Sequence, residues 1–153
     1  MSQKLRWGLL STANINRSII GPIKDSPGSE LVAVASRDLE RAQDYADNWG
    51  IPRALGSYEA LLTDPEVDVI YNPLPNLLHA AWTVRAADAG KHVLCEKPIV
   101  TTMADLDKVE RAAKRNDVTI FEAFMYLHHP QTERARSLIR EGRLGTVKLI
   151  NSW

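Results

Sequence analysis

Short apolar segments alternate with longer segments of helical period along the chain, and no other feature limits the possible fold so narrowly. We predict strands at 5–10, 31–36, 67–72, 92–95, 118–123 and 147–153. We predict helices at 14–25, 38–49, 58–62, 77–89, 131–141 and after a capping pattern at Thr102 and Asp105. Alternating strands and helices indicate a parallel sheet, and the almost uninterrupted apolar strands agree because such a sheet is buried on both faces. The sequence therefore predicts an α/β fold with a doubly wound parallel sheet.

The charge and cysteine content narrow the class of protein. In the 153 residues, Lys and Arg number 19 and Asp and Glu also number 19, so the net charge is zero and nucleic acid is not an expected partner. The single cysteine, Cys95, cannot form an internal disulfide. The N-terminus lacks a secretory signal pattern, and no apolar stretch is long enough to span a membrane. We expect a soluble, cytoplasmic protein without a membrane partner.

Neither the histidines nor the cysteine shows a pattern typical of metal binding or nucleophilic catalysis. Four histidines occur, and none has the H-x-x-x-H spacing that places two ligands on one helical face. Cys95 closes an apolar strand, where a cysteine is usually a small buried side chain. We therefore expect no metal site and no cysteine nucleophile.

Polar turns follow five of the predicted strands. A doubly wound sheet binds its ligand outside the carboxyl ends of its strands, so turns at those ends meet at one edge. This convergence predicts a ligand site at that edge of the sheet. The turns concerned are 11–15, 36–37, 73–76, 96–98 and 122–126.

The first turn has the position of a dinucleotide-binding turn but an altered sequence. In the G-x-G-x-x-G/A pattern the glycines let a pyrophosphate approach the backbone and the helix N-terminus. Here Ser11, Ala13 and Asn16 occupy those three places. Residues 11–15 are candidates for the pyrophosphate contact, and an ordinary strand–helix turn is the alternative.

The second turn, Ser36-Arg37-Asp38, lacks the terminal acid with which NAD-preferring sites bind the ribose 2′-hydroxyl. The forked cation of Arg37 suits a 2′-phosphate, and Arg41 follows one helical turn later. The pattern favours NADP over NAD. The alternative is that both arginines are surface residues and that Asp38 only caps a helix.

The third turn and the segment Glu96-Lys97-Pro98 supply further candidates. Asn76 and His79 could contact a cofactor, and capping of the following helix is the alternative. Lys97 lies at the end of a strand, where it could hold a substrate hydroxyl or relay its proton beside a nicotinamide. Burial next to Glu96 would suit the lysine to that role. The alternative for this segment is a simple turn.

Several of these segments together resemble one known family. Glu96-Lys97-Pro98 within AADAGKHVLCEKP, the segment NPLPNLLH and the segment FEAFMYLHHPQ resemble the glucose–fructose oxidoreductase / inositol dehydrogenase (Gfo/Idh/MocA) family. The segments LRWGLLSTANI and ASRDLERA are most similar to the branch of dimeric dihydrodiol dehydrogenases and NADP-dependent xylose dehydrogenases. The resemblance runs through nearly the whole chain.

The resemblance implies a Rossmann-like domain of an NAD(P)-dependent oxidoreductase that acts on a sugar or related cyclic alcohol. Lys97 would then contact the nicotinamide ribose and the substrate, Glu96 would support it, and Ser36 with Arg37 would hold the 2′-phosphate. Leu127 differs from the arginine that many members carry there. The other implied cofactor contacts are Ser11, Thr12, Ala13, Asn14, Ile15, Arg41, Leu74, Asn76 and His79, and the implied substrate contacts are Tyr126 and His129.

Members of this family continue into a second α+β domain with an open sheet, which binds substrate and forms dimers. The resemblance therefore implies a dinucleotide-binding domain at 1–145, the first strand of the second domain at 146–153, and little turnover by this chain alone. The longer protein would be a homodimer or larger assembly. Two rival functions are a non-catalytic dinucleotide sensor of the same family and a methyltransferase that uses a similar sheet.

Overall fold

The computed structural model describes residues 4–151, which form two units divided between Ala123 and Phe124. The first unit contains one sheet of six parallel strands in the order β3-β2-β1-β4-β5-β6. Its strands are β1 (Leu5–Leu10), β2 (Ser29–Ala35), β3 (Arg53–Leu55), β4 (Val69–Asn72), β5 (His92–Cys95) and β6 (Ile120–Glu122). Its α-helices are α1 (Arg17–Asp25), α2 (Leu39–Trp49), α3 (Tyr58–Leu62), α4 (Asn76–Asp88) and α5 (Met103–Asn116).

Two hydrophobic clusters cover the two faces of this sheet. On one face, Ile20 and Ile23 of α1 and Ala46 of α2 pack with strand residues. On the other face, Leu61 of α3 and Ala86 of α4 do the same. This arrangement confirms the predicted doubly wound parallel sheet. None of the helices within residues 4–151 is long and apolar enough to cross a membrane.

The helix ends follow the predicted capping chemistry in two of three cases. Thr102 accepts a hydrogen bond at Oγ1 from the Asp105 amide at 3.1 Å, and Asp38 accepts one from the Arg41 amide at 3.2 Å. Each bond satisfies an amide that has no partner inside its helix. The suggestion that Asn76 caps α4 is wrong, because Asn76 is the first residue of the helix and Pro75 precedes it.

One strand, β3, was not predicted from the sequence, and α1 begins later than predicted. β3 has three residues and is recognisable only through its pairing with β2, so its sequence carries no period of its own. The predicted helix at 14–25 is a 3-10 turn, Asn14–Asn16, followed by α1. Ile15 consequently does not join the buried face with Ile20 and Ile23, and it is exposed.

The second unit holds a 3-10 turn, Met125–His128, and one α-helix, α6 (Pro130–Arg140). The predicted strand at 147–153 is wrong for residues 147–151, which are irregular, and residues 152–153 lie outside the described residues. A strand needs a partner for its backbone hydrogen bonds, and none pairs with this segment in the part described. The predicted domain boundary after residue 145 stays a prediction.

Charged side chains tie together the amino ends of the strands, opposite the edge where a ligand is expected. The Asp68 carboxylate accepts hydrogen bonds from the Arg6 amide at 2.9 Å and from the Arg6 guanidinium at 2.8 and 2.9 Å. The buried Lys91 donates from Nζ to the carbonyl oxygens of Asp64 and Val67, each at 2.7 Å. Burial lowers the pKa of Lys91. These bonds fix the starts of β1, β4 and β5 relative to one another.

We expect low pH to lower the stability of the fold through protonation of Asp68. The Arg6 hydrogen bond lowers the pKa of Asp68 from 3.8 to about 2. A lowered pKa stabilises the fold above the unfolded value, and that stabilisation disappears as the pH falls through the folded value. We expect the free energy of unfolding to fall between about pH 4 and about pH 2, and to fall less in Asp68→Asn. Denaturant titrations at each pH measure the free energy of unfolding, and Asp107→Asn, at an exposed aspartate, is the control. If the free energy of unfolding fell with pH equally in Asp68→Asn and in the wild type, the prediction would be contradicted.

The close packing of α3 on β1 depends on Gly8. A Cβ at Gly8 would lie 2.8 Å from Leu61 Cδ1 and 3.1 Å from Val67 Cγ1 in the buried core. We expect Gly8→Ala to lower the free energy of unfolding by about 1–3 kcal/mol through overpacking. Gly28→Ala is the matched control, because nothing lies within 4 Å of a Cβ there. Urea unfolding of both variants measures the difference, and equal midpoints would contradict the packing described.

Candidate functional site

A cavity of about 390 Å³ opens at the carboxyl ends of β1, β2 and β4. It lies where α1 and α2 leave the sheet on one face and α4 leaves it on the other, the place where doubly wound sheets hold ligands. Two arginines and no acidic residue contribute to its wall. The lining residues are Ser11, Thr12, Ala13, Ser36, Arg37, Arg41, Tyr58, Pro73, Leu74 and Pro75.

In the first turn of the cavity wall, a serine adopts a backbone conformation that is usually found at glycine. Ser11 has φ 133°, a conformation in which a side chain is strained. The Asn16 side chain, fully buried, donates from Nδ2 to the Ser11 carbonyl at 2.8 Å. The Ser11 hydroxyl and the Asn16 Oδ1 atom are buried without a hydrogen-bond partner among the described residues. Asn16 thus holds the strained turn in place.

The structure of the second turn is compatible with both interpretations of its sequence, and the 2′-phosphate contact stays a prediction. Asp38 caps α2, while Arg37 and Arg41 also line the cavity. The buried Ser36 donates its amide to the Leu55 carbonyl at 3.0 Å, and its hydroxyl accepts from the Asp38 amide at 3.3 Å. The turn is therefore fixed by backbone contacts, and both guanidinium groups remain exposed beside the cavity.

The third turn is shaped by a buried amide that sequence analysis did not single out. Asn72, fully buried at the end of β4, donates from Nδ2 to Thr83 Oγ1 at 3.1 Å and to the His79 carbonyl at 3.2 Å. Its Oδ1 accepts from the Leu74 amide at 3.3 Å. These bonds replace the capping that was predicted for Asn76 and hold Leu74 in the cavity wall.

His79, a predicted cofactor contact, is buried with both ring nitrogens against backbone carbonyl oxygens, and its contact with a cofactor stays a prediction. His79 is 1% exposed, with Nδ1 2.7 Å from the Pro98 carbonyl oxygen and Nε2 2.5 Å from the Leu74 carbonyl oxygen. Both nitrogens are occupied by the backbone, so no ring nitrogen is available to a ligand. His79 instead joins the third turn to the Glu96-Lys97-Pro98 segment.

That segment is held on both sides of Lys97. The buried Tyr71 hydroxyl donates to Glu96 Oε1 at 2.7 Å, and Glu122 Oε1 accepts from the Ile99 amide at 2.9 Å. The Lys97–Pro98 peptide bond is cis. The side chain of Lys97 is exposed, and among the described residues Glu96 forms no ion pair with it, so the role assigned to Lys97 stays a prediction. The Lys97 side chain, just after the end of β5, is therefore open to solvent.

Six predicted cofactor contacts lie outside the cavity wall. They are the exposed residues Asn14, Ile15, Asn76 and Lys97, the partly buried Glu96 and the buried His79. Their assignment stays a prediction.

The predicted substrate contacts, Tyr126 and His129, belong to the second unit. Tyr126 packs edge-on against Phe124 with ring centroids 5.7 Å apart, and His129 Nδ1 accepts from the Gln131 amide at 3.2 Å at the start of α6. Both assignments stay predictions.

The remaining reactive side chains give no second site. Cys95 is fully buried, and burial raises its pKa to about 12, so the thiolate is disfavoured. No cluster of three or more His, Cys, Asp or Glu side chains suited to a metal ion occurs within residues 4–151.

Four residues of the site were not identified from the sequence: Asn16, Tyr58, Tyr71 and Asn72. Asn16 stands in the third small-residue place of the phosphate-turn pattern, and that departure was the available signal. Tyr71 lies inside an apolar strand and Tyr58 in a helix of five residues, so neither pattern indicates a polar role. Tyr58 reaches the cavity because β3 pairs with β2, and β3 was itself missed.

Comparison with known proteins agrees with this geometry. The sequence model of Gfo/Idh/MocA, described as an oxidoreductase family with an NAD-binding Rossmann fold, matches residues 5–124. The chain is 46% identical over 148 residues to a D-xylose 1-dehydrogenase (NADP(+)) of Haloferax volcanii, covering 97% of this chain and 45% of that protein. It is 36% identical over 149 residues to a trans-1,2-dihydrobenzene-1,2-diol dehydrogenase of Xenopus laevis, covering 96% and 45%.

A solved structure shows the same arrangement of strands and helices. The crystal structure of KijD10, a 3-ketoreductase from Actinomadura kijaniata in complex with NADP, matches with a TM-score of 0.85 and 36% identity. The match covers 92% of this chain and 45% of that one. The chain thus spans less than half the length of the relatives it matches.

We expect high pH to lower the stability of the fold through ionisation of Tyr71. Burial, and next the Glu96 carboxylate, raise the pKa of Tyr71 above its ordinary value of 10. A raised pKa stabilises the fold below the unfolded value, and that stabilisation is lost as the pH rises above it. We expect the free energy of unfolding to fall above about pH 10 in the wild type and less in Tyr71→Phe, which cannot ionise.

Urea unfolding between about pH 8 and pH 11 measures the alkaline loss. Tyr126→Phe, which removes an exposed hydroxyl, is the control and should keep the wild-type profile. At neutral pH, Tyr71→Phe should lower the free energy of unfolding by about 1–2 kcal/mol, since it removes a hydrogen bond to a carboxylate. A variant as stable as the wild type at every pH would show that the Tyr71–Glu96 bond does not form.

Proposed function

The chain belongs to the Gfo/Idh/MocA oxidoreductase family with an NAD-binding Rossmann fold, and on that premise we propose that its cavity binds NADP in preference to NAD. We propose further that the whole protein transfers hydride between the nicotinamide and a sugar or cyclic alcohol such as a dihydrodiol. The observation that carries the cofactor preference is the wall of the cavity itself, in which Arg37 and Arg41 stand at the end of β2 where no carboxylate lines the wall.

The residues present fit a dinucleotide. A pyrophosphate would lie against Ser11, Thr12 and Ala13, which line the cavity just before the chain enters a helical segment. The buried Ser11 hydroxyl, which lacks a partner among the described residues, gives that turn a hydrogen-bonding group besides its amides. The phosphate-binding role of the adjacent Asn14 and Ile15 is part of the same proposal.

The 2′-phosphate would lie between Ser36, Arg37 and Arg41. A guanidinium binds a phosphate through two parallel N–H donors, and an acid at this position would repel it. The partners of Ser36 fix the turn before any ligand arrives, because its amide and hydroxyl are both bonded to the backbone. The cation pair therefore acts on a rigid turn, which supports discrimination between the two cofactors.

Lys97 is the residue that we propose for proton transfer in the reaction. When bound, the nicotinamide cofactor supplies or accepts the hydride. Lys97 Nζ would hold the substrate hydroxyl and give or take its proton, while Glu96, oriented by Tyr71, keeps the strand end in place. Because Lys97 is exposed in this structure, the bound cofactor and substrate would supply the solvent exclusion that favours this transfer. Tyr126 and His129 are the proposed substrate contacts.

The remaining properties of the whole protein are proposals of the same rank. A homodimer or larger assembly, a cytoplasmic location and a small-molecule substrate agree with the family and with the lone buried Cys95. A dinucleotide sensor without catalysis is the alternative function. Cofactor binding without turnover by the full-length protein would favour the sensor, since both functions require the same cavity.

The cofactor preference is tested by titrating the chain with NADPH and NADH, followed by energy transfer from tryptophan to the reduced nicotinamide. We expect tighter binding of NADPH, and we expect Arg37→Ala to weaken NADPH binding about tenfold or more while NADH binding changes little, since one charged hydrogen-bonding partner of the 2′-phosphate is removed. Arg111→Ala on α5 removes the same charge away from the cavity and is the control. If Arg37→Ala weakened the binding of NADPH and of NADH equally, Arg37 would not be a contact of the 2′-phosphate.

A further inference from the structure

Two residues that depart from the dinucleotide-binding pattern contact each other in the first turn. Ser11 and Asn16 occupy the first and third small-residue places of that pattern. Ser11 has φ 133°, a conformation that glycine adopts without strain and serine does not. The fully buried Asn16 donates from Nδ2 to the Ser11 carbonyl at 2.8 Å. One departure therefore strains the turn, and the other bonds the strained residue.

The bond from Asn16 fixes the direction of the peptide group between Ser11 and Thr12. This peptide is trans, and in a planar trans peptide the carbonyl and the amide point in opposite directions. Because the Ser11 carbonyl points to the buried Asn16, the Thr12 amide points away from Asn16. Thr12 and Ala13 both line the cavity, and their amides donate to no acceptor within residues 4–151. The turn thus holds two amides that a ligand can bind.

Asn16 is itself fixed by its surroundings. Its backbone amide donates to the Ala13 carbonyl at 3.1 Å, so one residue bonds the carbonyls on both sides of Thr12. Burial raises the pKa of the Tyr45 hydroxyl on α2, and the neighbouring Asn16 side chain lowers it in part. Asn16 therefore lies against α2, and it ties the turn to a packed helix.

We propose that Asn16 is a positioning residue for the pyrophosphate of the dinucleotide. It holds the Ser11 carbonyl inward, which keeps the amides of Thr12 and Ala13 directed to the ligand, and it does so because position 11 is not glycine. Asn16 itself touches no ligand. This inference rests on the proposed function, since it requires a dinucleotide in the cavity. Both NADP and NAD contain the pyrophosphate, so Asn16 raises the affinity for both and leaves the selectivity to Arg37 and Arg41.

The test is the calorimetric binding of NADPH, NADH and adenosine 2′-phosphate to the wild-type chain and to Asn16→Ala. Adenosine 2′-phosphate carries the 2′-phosphate but no pyrophosphate. We expect Asn16→Ala to weaken the binding of NADPH and NADH by one common factor, about 3- to 10-fold, the effect of one hydrogen bond. Binding of adenosine 2′-phosphate should not change. Ser18→Ala is the matched control, because it removes an exposed side-chain bond to the Ile15 carbonyl next to this turn, and it should leave all three ligands unchanged.

A glycine at position 11 should make Asn16 dispensable. Ser11→Gly removes the strain, so adding Asn16→Ala to Ser11→Gly should change the dissociation constant of NADPH by less than about twofold. This comparison separates positioning from packing, because a packing defect at position 16 would weaken binding in both backgrounds. The double variant also has the glycine and the small residue of the usual pattern, so it supplies the test even if Asn16→Ala alone does not fold.

The outcomes that would overturn the inference are distinguishable. Equal losses of NADPH affinity with Ser11 and with Gly at position 11 would show that Asn16 does not compensate for the serine. An equal loss for adenosine 2′-phosphate would show that Asn16→Ala disturbs the whole cavity. If Asn16→Ala binds NADPH as the wild type does, this inference fails and the proposed function stands. If the wild-type chain binds none of the three ligands, the proposed function fails and this inference fails with it.

Discussion

The parallel pairing of β1 with β2 on one side and β4 on the other is the constraint on which the rest of the structure depends. Because all three strands run in one direction, their carboxyl ends open at the same edge. Because helices leave them toward opposite faces, the turns after them separate and leave a crevice. Gly8, at the centre of β1, lets α3 approach closely enough to bring Tyr58 to that crevice. The cavity is therefore a consequence of strand order, and its chemistry depends on the few residues that the strand ends present.

Buried polar side chains then determine the shape of those strand ends. Asn16 holds the strained turn at Ser11, Asn72 holds the third turn, and His79 joins the third turn to Pro98. Each side chain bonds a backbone group that a turn would otherwise leave unsatisfied. The residues assigned to the ligand are different ones, and Arg37, Arg41 and Lys97 all keep their charged ends exposed. Rigid backbone with free side chains is the arrangement that preorganised binding requires.

The fold and much of the site could be predicted from the sequence because they rest on local patterns. Alternating strands and helices predicted the doubly wound sheet, and seven of the predicted cofactor contacts line one cavity: Ser11, Thr12, Ala13, Ser36, Arg37, Arg41 and Leu74.

What failed depends on partners distant in the chain. β3 exists because β2 lies beside it, and residues 147–151 form no strand because no segment within residues 4–151 pairs with them. The place of His79 depends on carbonyl groups 5 and 19 residues away, and Tyr58 lines the cavity on a helix that directly follows β3. The measurement that tests the central claim most directly is the mapping of backbone amide chemical shifts by NMR as NADPH is added to the chain. Binding at the carboxyl edge predicts shifts concentrated at Ser11–Ala13, Ser36–Arg37 and Leu74; shifts concentrated at Arg6, Asp68 and Lys91 on the opposite edge, or no shifts at all, would contradict it.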